Sequence, residues 1–486
     1  MRKAITLITI KTNIKNLIKY FIFNLLYIYN FNINKNNLMI AKKIRDFMSR
    51  RTITANVRNA AMNNFSNYET FKQIQSKAEL LRIEEGRPHE VLYFHKVDDP
   101  YSHLTIHTID QLKSNYDIVF KPVLVGNNVS EAVHEPYHYK DYCLRDTIRI
   151  APFYNISFES KKYPNQYLIN KANNILTGVS DEKFHEIAMK VSSALWNNNE
   201  SVLNELSIHF PASAKDTLKK INEGNKIRND KNYYFGSAFY YEKELYWGID
   251  RLHYLEKRLT KLGLKKIIND EYIYPLILSA PKNISSNTKI DLTYYPSLNS
   301  PYTFISAKRV KQLRDDYPIN LITKPVLPML MRKYAISANK AKYIISDAAR
   351  EGRTHNSEIK KIYSPIGKPA RTAFSLFPLI DNAGKGFEYI DELLKASFQD
   401  GINIGEYDYL KKLVTNLGLD WDNIKQDLNT KKWKKILNDN VDDMFKGDCW
   451  GVPSFKITNE DGTDPYYVWG QDRMWLLKEE INRRLS

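Results

Sequence analysis

Asp291-Leu292-Thr293-Tyr294-Tyr295-Pro296-Ser297-Leu298-Asn299-Ser300-Pro301-Tyr302-Thr303-Phe304-Ile305 is the stretch on which the reading of the chain turns. Leu292 to Tyr295 are strand-forming residues, Pro296 to Asn299 have turn character, and Ser300-Pro301 has the form of an N-cap followed by proline at the first helical position. A strand should therefore pass through a tight turn into a helix that begins at Pro301. The first turn of such a helix presents unpaired backbone N–H groups and the positive end of the helix dipole, so an anion held in front of it is stabilised.

Thioredoxin-like oxidoreductases use a junction of this kind for a Cys-x-x-Cys pair, because the helix terminus lowers the pKa of the first cysteine. Here the corresponding four residues are Ser300-Pro301-Tyr302-Thr303, with hydroxyls in place of thiols. Dithiol redox chemistry is unavailable to them. What remains is an anion site of thiolate size with a hydroxyl donor, suited to a thiolate that a ligand brings. Near the C-terminus, Gly451-Val452-Pro453-Ser454-Phe455 leads into a strand, a turn at Asn459 to Gly462, and then Tyr466-Tyr467-Val468-Trp469-Gly470-Gln471-Asp472-Arg473-Met474. Strand, hairpin and helix in that order close a thioredoxin fold, in which a cis proline faces the helix and exposes the backbone of the residue before it.

Ser-Pro-Tyr after a strand, with Gly-Val-Pro and Trp-Gly-x-Asp-Arg-Met following in order, resembles the DsbA-like branch that contains 2-hydroxychromene-2-carboxylate isomerases and kappa-class glutathione transferases. The resemblance spans Lys289 to Ser486. It implies that Ser300 hydrogen-bonds the sulfur of glutathione, that Val452, preceding a cis Pro453, pairs with the cysteinyl backbone, and that Asp472, beside Gln471, meets the γ-glutamyl amine.

A chain of 486 residues has room for two domains with sizeable cores. Its net charge of +17 is concentrated at one end: before Ala60 there are twelve Lys and Arg against Asp46 alone. The leader thus reads as a solvated basic arm, and no nucleic-acid partner is expected. Leu17 to Ile33 is apolar but interrupted by Lys19, Asn24 and Asn30, which argues against a membrane span, and a cytoplasmic protein is expected. Only Cys143 and Cys449 are present, too few and too far apart for a disulfide framework or a cysteine metal site. His103 with His107 and His134 with His138 are each four apart, a spacing that shares one helical face, but short spacings arise cheaply and no metal is assigned.

Taken in order, the chain divides into a leader (1–41), a helical arm (42–85), a first domain (86–281), a linker (282–288) and a second domain (289–486). The halves run in parallel. Asp98-Asp99-Pro100-Tyr101-Ser102 stands where the second half has Ser300-Pro301-Tyr302-Thr303. Tyr142 to Arg149 matches Tyr343 to Arg350, and Trp247-Gly248-Ile249-Asp250-Arg251 matches Trp469 to Arg473. The fold class expected is α/β, two tandem thioredoxin-like domains, each with a helical insertion (Tyr142 to Ile221 and Asn339 to Leu437). In the first half Asp99 replaces Ser300 and Ala238 replaces Pro453. A carboxylate there would repel a thiolate, so the first site reads as degenerate. Tyr343, Asp347 and Arg350 recur in both halves and read as packing residues, and Arg473 as an ion-pair residue.

The function expected is a glutathione-dependent isomerase or transferase acting on a small electrophile through the second domain, with Ser300 as donor and Val452, Pro453, Gln471 and Asp472 holding glutathione. Two alternatives stand beside it: a non-catalytic thioredoxin-like protein that binds an extended peptide, and a thiol-disulfide oxidoreductase-like protein without its redox cysteines.

Overall fold

The strand-turn-helix stretch folds as its residues dictate: β5 (Ile290–Tyr295) leads through Pro296–Asn299 to a helix over Pro301–Asp316. The computed structural model describes residues 53–128, 132–267, 269, 271–279 and 289–486. The leader, the arm before residue 53 and the linker 282–288 lie outside the described residues. Arg58–Ser486 is one compact unit, apart from Met1–Val57.

Two four-stranded sheets organise that unit. The first contains β1 (Glu90–His95), β2 (Val119–Leu124), β3 (Ala238–Tyr241) and β4 (Glu244–Trp247), in the order β2-β1-β3-β4. The second contains β5, β6 (Ile319–Thr323), β7 (Ser454–Asn459) and β8 (Tyr466–Trp469), in the order β6-β5-β7-β8. In each sheet the first two strands are parallel and joined through helix, as parallel strands require, and the last two form an antiparallel hairpin. The β3–β4 turn places Glu242 and Lys243 both at positive φ, the backbone that a two-residue hairpin needs to match strand twist. The central strands β1 and β5 are each buried but for one residue and carry aromatics: Tyr93 stacks on Phe239, and Tyr294 on Phe455. Between β2 and β3, and again between β6 and β7, the chain inserts several helices. Their apolar faces supply a large part of the first core and a separate helical core in the second half.

The expected helical arm is two helices, Ile53–Ser66 and Tyr68–Glu84, separated by Asn67, whose side chain caps the second by accepting from the Thr70 N–H. The first packs Met62 and Phe65 on the second half's helical core. The second reaches the first half, where Gln75 donates to Glu244. The arm thus straps the two halves together.

A buried exchange of charges joins them further. Arg251 crosses to Asp347 of the second half with bonds of 2.7 and 2.9 Å, and Arg473 crosses to Asp146 of the first with bonds of 2.9 Å. The aspartates beside the arginines cross as well, Asp472 to Arg251 at 2.7 Å and Asp250 to Arg473 at 2.6 Å. Tyr101 and Tyr302 complete the pattern, donating to Asp146 and Asp347 at 2.8 Å each. Arg473 is thus an ion-pair residue as expected, whereas Asp347 and Arg350, expected to pack, are ion-paired as well, with each other and across the halves, Asp347 to Arg251 and Arg350 to Glu244.

Candidate functional site

Ser300 sits where the chain leaves β5. The Tyr294 hydroxyl donates to the Thr303 carbonyl at 3.2 Å, which ties the strand to the first helical turn. Ser300 is extended (φ −102°, ψ 115°), and its Oγ accepts from the Thr303 N–H at 3.1 Å, a conventional N-cap. The same hydroxyl donates to the Val452 carbonyl at 3.4 Å. The Val452–Pro453 peptide is cis, and the Pro453 carbonyl accepts from the Gly470 N–H at 2.9 Å. Ser300, Val452 and Pro453 are thus brought together, a hydroxyl and a backbone carbonyl facing each other at the N-terminus of a sixteen-residue helix.

Residues far away in sequence hold this junction. Ser364, on the loop before the helix Lys368–Asn382, donates to Asn299 at 2.7 Å, and its own N–H is accepted by Asn59 of the arm at 3.0 Å. One turn on, Asn63 both donates to and accepts from the Ile362 backbone, at 3.1 and 2.8 Å. On the other side Arg332 donates to the Trp450 carbonyl at 3.2 Å, and burial pushes its pKa down. Lys340 donates to Ala132 at 2.7 Å, its pKa pushed down to about 8 by burial. Asn59, Asn63, Ser364 and Lys340 carry no local signal in the sequence, because each works through a partner far along the chain.

Gln471 and Asp472 are placed elsewhere. They line a cavity between the halves, with Arg251, Arg309, His253 and Glu351, and neither Ser300 nor Val452 borders it. Asp472 Oδ1 receives both Arg251 and Gln471, and the Gln471 side chain spans Glu351 and Arg309. Arg251, the first-half counterpart of Arg473, joins Asp472 here, and neither it nor Arg309, Glu351 and His253 carries a local signal in the sequence for this place.

The first half differs at the same junction. Asp99 is 8% exposed and caps the helix Pro100–Ile106 by accepting from the Tyr101 N–H. Burial raises its pKa to about 6, against the opposing pull of Lys96. The expectation that Ala238 replaces Pro453 is corrected by the strand register. Ala238 pairs with Trp247 as Ser454 pairs with Trp469, and the Ser237 carbonyl accepts from Gly248 as that of Pro453 does from Gly470. Ser237 therefore takes the proline's place and Gly236 that of Val452. Gly236 approaches so closely that a Cβ there would lie 2.7 Å from Lys96 Cβ and 3.3 Å from Asp99 Oδ2.

Both cysteines are buried, and burial raises both thiols, Cys449 to about 12. Cys449 packs with Tyr295 and Met444 in an apolar cluster. His103 hydrogen-bonds Ser192 and Ser157, and His134 precedes the helix Pro136–Ile150 that carries His138, so the second histidine pair does not share a helix. Among the described residues no three His, Cys, Asp or Glu side chains cluster as a metal would need, and no helix is long and apolar enough to cross a membrane.

Glutathione fits this arrangement at one end. A thiolate before Pro301 would meet the Ser300 hydroxyl and the helix N-terminus. The γ-glutamyl end fits less well, because Asp472 is already matched by Arg251.

The chain is mixed α/β, and its second sheet, with a capped helix opposite a cis proline, has the thioredoxin arrangement. Residues 291–482 match the DSBA-like thioredoxin domain, so the C-terminal part of the chain is a domain of that kind. Over 86 residues the chain is 33% identical to YwbO of Bacillus subtilis (strain 168), a match that covers 18% of this chain and 43% of that relative. Among solved structures, a 2-hydroxychromene-2-carboxylate isomerase is similar at 16% identity, with 40% of this chain and 95% of that one covered, at a TM-score of 0.34. The cytosolic disulfide reductase DsbM of Pseudomonas aeruginosa is similar at 16% identity, over 40% of this chain and all of that one, at a TM-score of 0.31.

Proposed function

We propose that the second half binds glutathione at Ser300 and uses it in an isomerase or transferase reaction on a small electrophile, while the first half, a tandem copy with an altered junction, serves structure. The observation that carries this reading is the Ser300 hydroxyl, placed at a helix N-terminus and 3.4 Å from the carbonyl that precedes the cis proline. When bound, glutathione would supply a thiol nucleophile. The chain's own part is electrostatic: the helix terminus and the Ser300 donor favour the thiolate over the thiol. Val452 presents the backbone edge beside Pro453. Asp99 withholds the same role from the first half, since a carboxylate in that position disfavours a second negative charge.

Ser300 acts as a donor and not as a covalent nucleophile, because its hydrogen-bond partners are the Thr303 N–H and the Val452 carbonyl, and neither is a base. A disulfide oxidoreductase reading has no thiol at either junction. The peptide-binding reading rests on the same Val452 edge and is separated from the first by one experiment. Glutathione is titrated calorimetrically into the wild type and Ser300→Ala, with thiolate absorbance followed against pH. One site with a depressed thiol pKa that rises in the variant supports the proposal. No binding at millimolar glutathione sinks it in favour of a peptide ligand.

A further inference from the structure

The two sheets have an outer strand at each end, β2 and β4 in the first, β6 and β8 in the second. An outer strand with free N–H and C=O groups is a template for another strand unless something blocks it. On β8 the outward groups of Trp469 are both taken by the Tyr142 hydroxyl of the first half, which accepts from its N–H at 2.7 Å and donates to its carbonyl at 3.0 Å. Arg149 donates to the Tyr467 carbonyl beside it at 2.7 Å. The reverse crossing blocks β4, where Arg350 of the second half donates to the Leu245 carbonyl at 3.3 Å.

The edge of β2 is blocked within the first half. Backbone groups alternate sides along a strand, and the Val125 N–H is accepted by His95 of β1, so Val123 and Lys121 face β1 while Leu124, Pro122 and Phe120 face outward. Pro122 therefore brings no N–H to an outward position, and the exposed Lys121 stands beside it. The Leu124 carbonyl lies under the helix Ala214–Asp230, where a Cβ on Gly224 would come within 1.9 Å of it.

The edge of β6 has neither device. The Lys324 N–H is accepted by the Tyr294 carbonyl at 2.8 Å, so Ile322 and Asn320 face β5, and Thr323, Leu321 and Ile319 turn their backbone groups outward. Position by position, Asn320-Leu321 stands where the first half has Lys121-Pro122. The strand reads Ile-Asn-Leu-Ile-Thr, without a proline or a charge. Thr323 is buried, but Asn320 is exposed and Ile319, Leu321 and Ile322 are half-buried.

We infer that β6 is the docking strand for a second copy of this chain, the two β6 strands pairing antiparallel about a two-fold axis with Leu321 opposite the partner's Leu321. The charges at the two ends of the strand select this occupant and this direction. Asp315 and Asp316, both exposed, lead into β6. At the far end Lys324, Lys446 and Lys456 share Asp443, at 2.7, 3.9 and 2.9 Å. In an isologous antiparallel pair the start of each strand lies beside the end of the other, so the acidic lead-in of one copy meets the lysine-rich end of its partner. Ile319 and Leu321, which already pack on the second sheet's core, gain a matching strip across the axis. A contact built on so short a strand belongs with the small, reversible interfaces. It does not rest on glutathione binding at Ser300.

The test is sedimentation of the full chain over a range of concentrations. The wild type should form a dimer that dissociates on dilution. Asn320→Lys/Leu321→Pro gives β6 the pair that β2 carries and should leave a monomer throughout. Asn320→Lys alone, at an exposed position that leaves the ladder to β5 intact, should weaken the dimer about tenfold or more even if the proline variant fails to fold. Direction and register are read by oxidation, against a background in which Cys143 and Cys449 are both buried. Asn320→Cys/Ile322→Cys sets each thiol opposite its counterpart in a non-hydrogen-bonded pair, the closer kind, and should cross-link two chains faster than Asn320→Cys alone. A chain that stays monomeric up to millimolar concentration, a dimer that both edge variants leave intact, or cross-linking as fast with the single cysteine as with the pair would overturn the assignment, the first of these leaving the edge to an extended peptide.

Discussion

Asp99 shows how one residue changes what a junction can do. It occupies the position that Ser300 holds in the second half, and as an N-cap it serves equally well, but it is a carboxyl group buried with a pKa of about 6. The sign of its effect follows from proton binding. Between its unfolded value of about 3.9 and its folded value the native state holds the proton more tightly, so stability falls as pH rises through that window. The full penalty, on the order of 3 kcal/mol for a shift of about two units, is present above pH 6. Asp99→Asn keeps a capping oxygen and removes the charge. Urea unfolding at pH 4, 5, 6 and 7, roughly the window set by these values, should show a variant that is more stable than wild type at pH 7 and nearly equal to it at pH 4. A constant difference across the series would mean that Asp99 does not titrate there.

At the scale of elements, the arm helix Ile53–Ser66 is the least obvious part of the candidate site. Asn59 and Asn63, four residues apart on one face, satisfy backbone groups of Ile362 and Ser364, and Ser364 in turn holds Asn299 beside Ser300. Asn63→Ala leaves the Ile362 N–H and carbonyl without partners, which should cost about 1–3 kcal/mol in denaturant unfolding. If the Ser300 junction binds glutathione, the same variant should weaken that binding with Ser300 still in place. Unchanged stability and affinity would show the arm to be a passive strap.

Much at this scale was legible in the sequence. Strand-forming residues, turn residues and Ser-Pro set the β5 junction, and Gly-Val-Pro ahead of a hairpin placed the cis proline, because these signals act over a few neighbours. The register of β3 was not legible. Gly236-Ser237-Ala238 and Val452-Pro453-Ser454 share too few residues to fix a single-residue shift, and only the ladder to β4 decides it. The arm's contacts were hidden for the same reason, since Asn63 and Ile362 are 299 residues apart.

At the scale of the whole molecule, the reciprocal arginines make the two halves one cooperative object. Arg251 serves Asp347 and Asp472, Arg473 serves Asp146 and Asp250, and Asp347 and Asp146 have side chains only 1% and 2% exposed. The sequence offered both Asp-Arg pairs but not their crossing, because a repeat read along the chain suggests partners within each half. Removing one member of a buried pair leaves the other charged and desolvated, a cost of about 3–5 kcal/mol. Arg251→Ala should therefore destabilise markedly, with Asp347 left to Arg350 and Tyr302. Arg473→Ala has no second arginine to fall back on among the described bonds to Asp146, so its cost should be the larger. The two sites are linked through Asp250-Arg251 and Asp472-Arg473, and their effects should not add. Differential scanning calorimetry of the wild type should give a single transition. In Arg251→Ala/Arg473→Ala the halves lose this reciprocal exchange and keep the peripheral cross pairs Arg350–Glu244 and Arg145–Asp448, while each keeps its own sheet and helical core, so the endotherm should split in two. A double variant that still unfolds in one step would assign the coupling to these remaining pairs, the strapping arm and the apolar contacts instead.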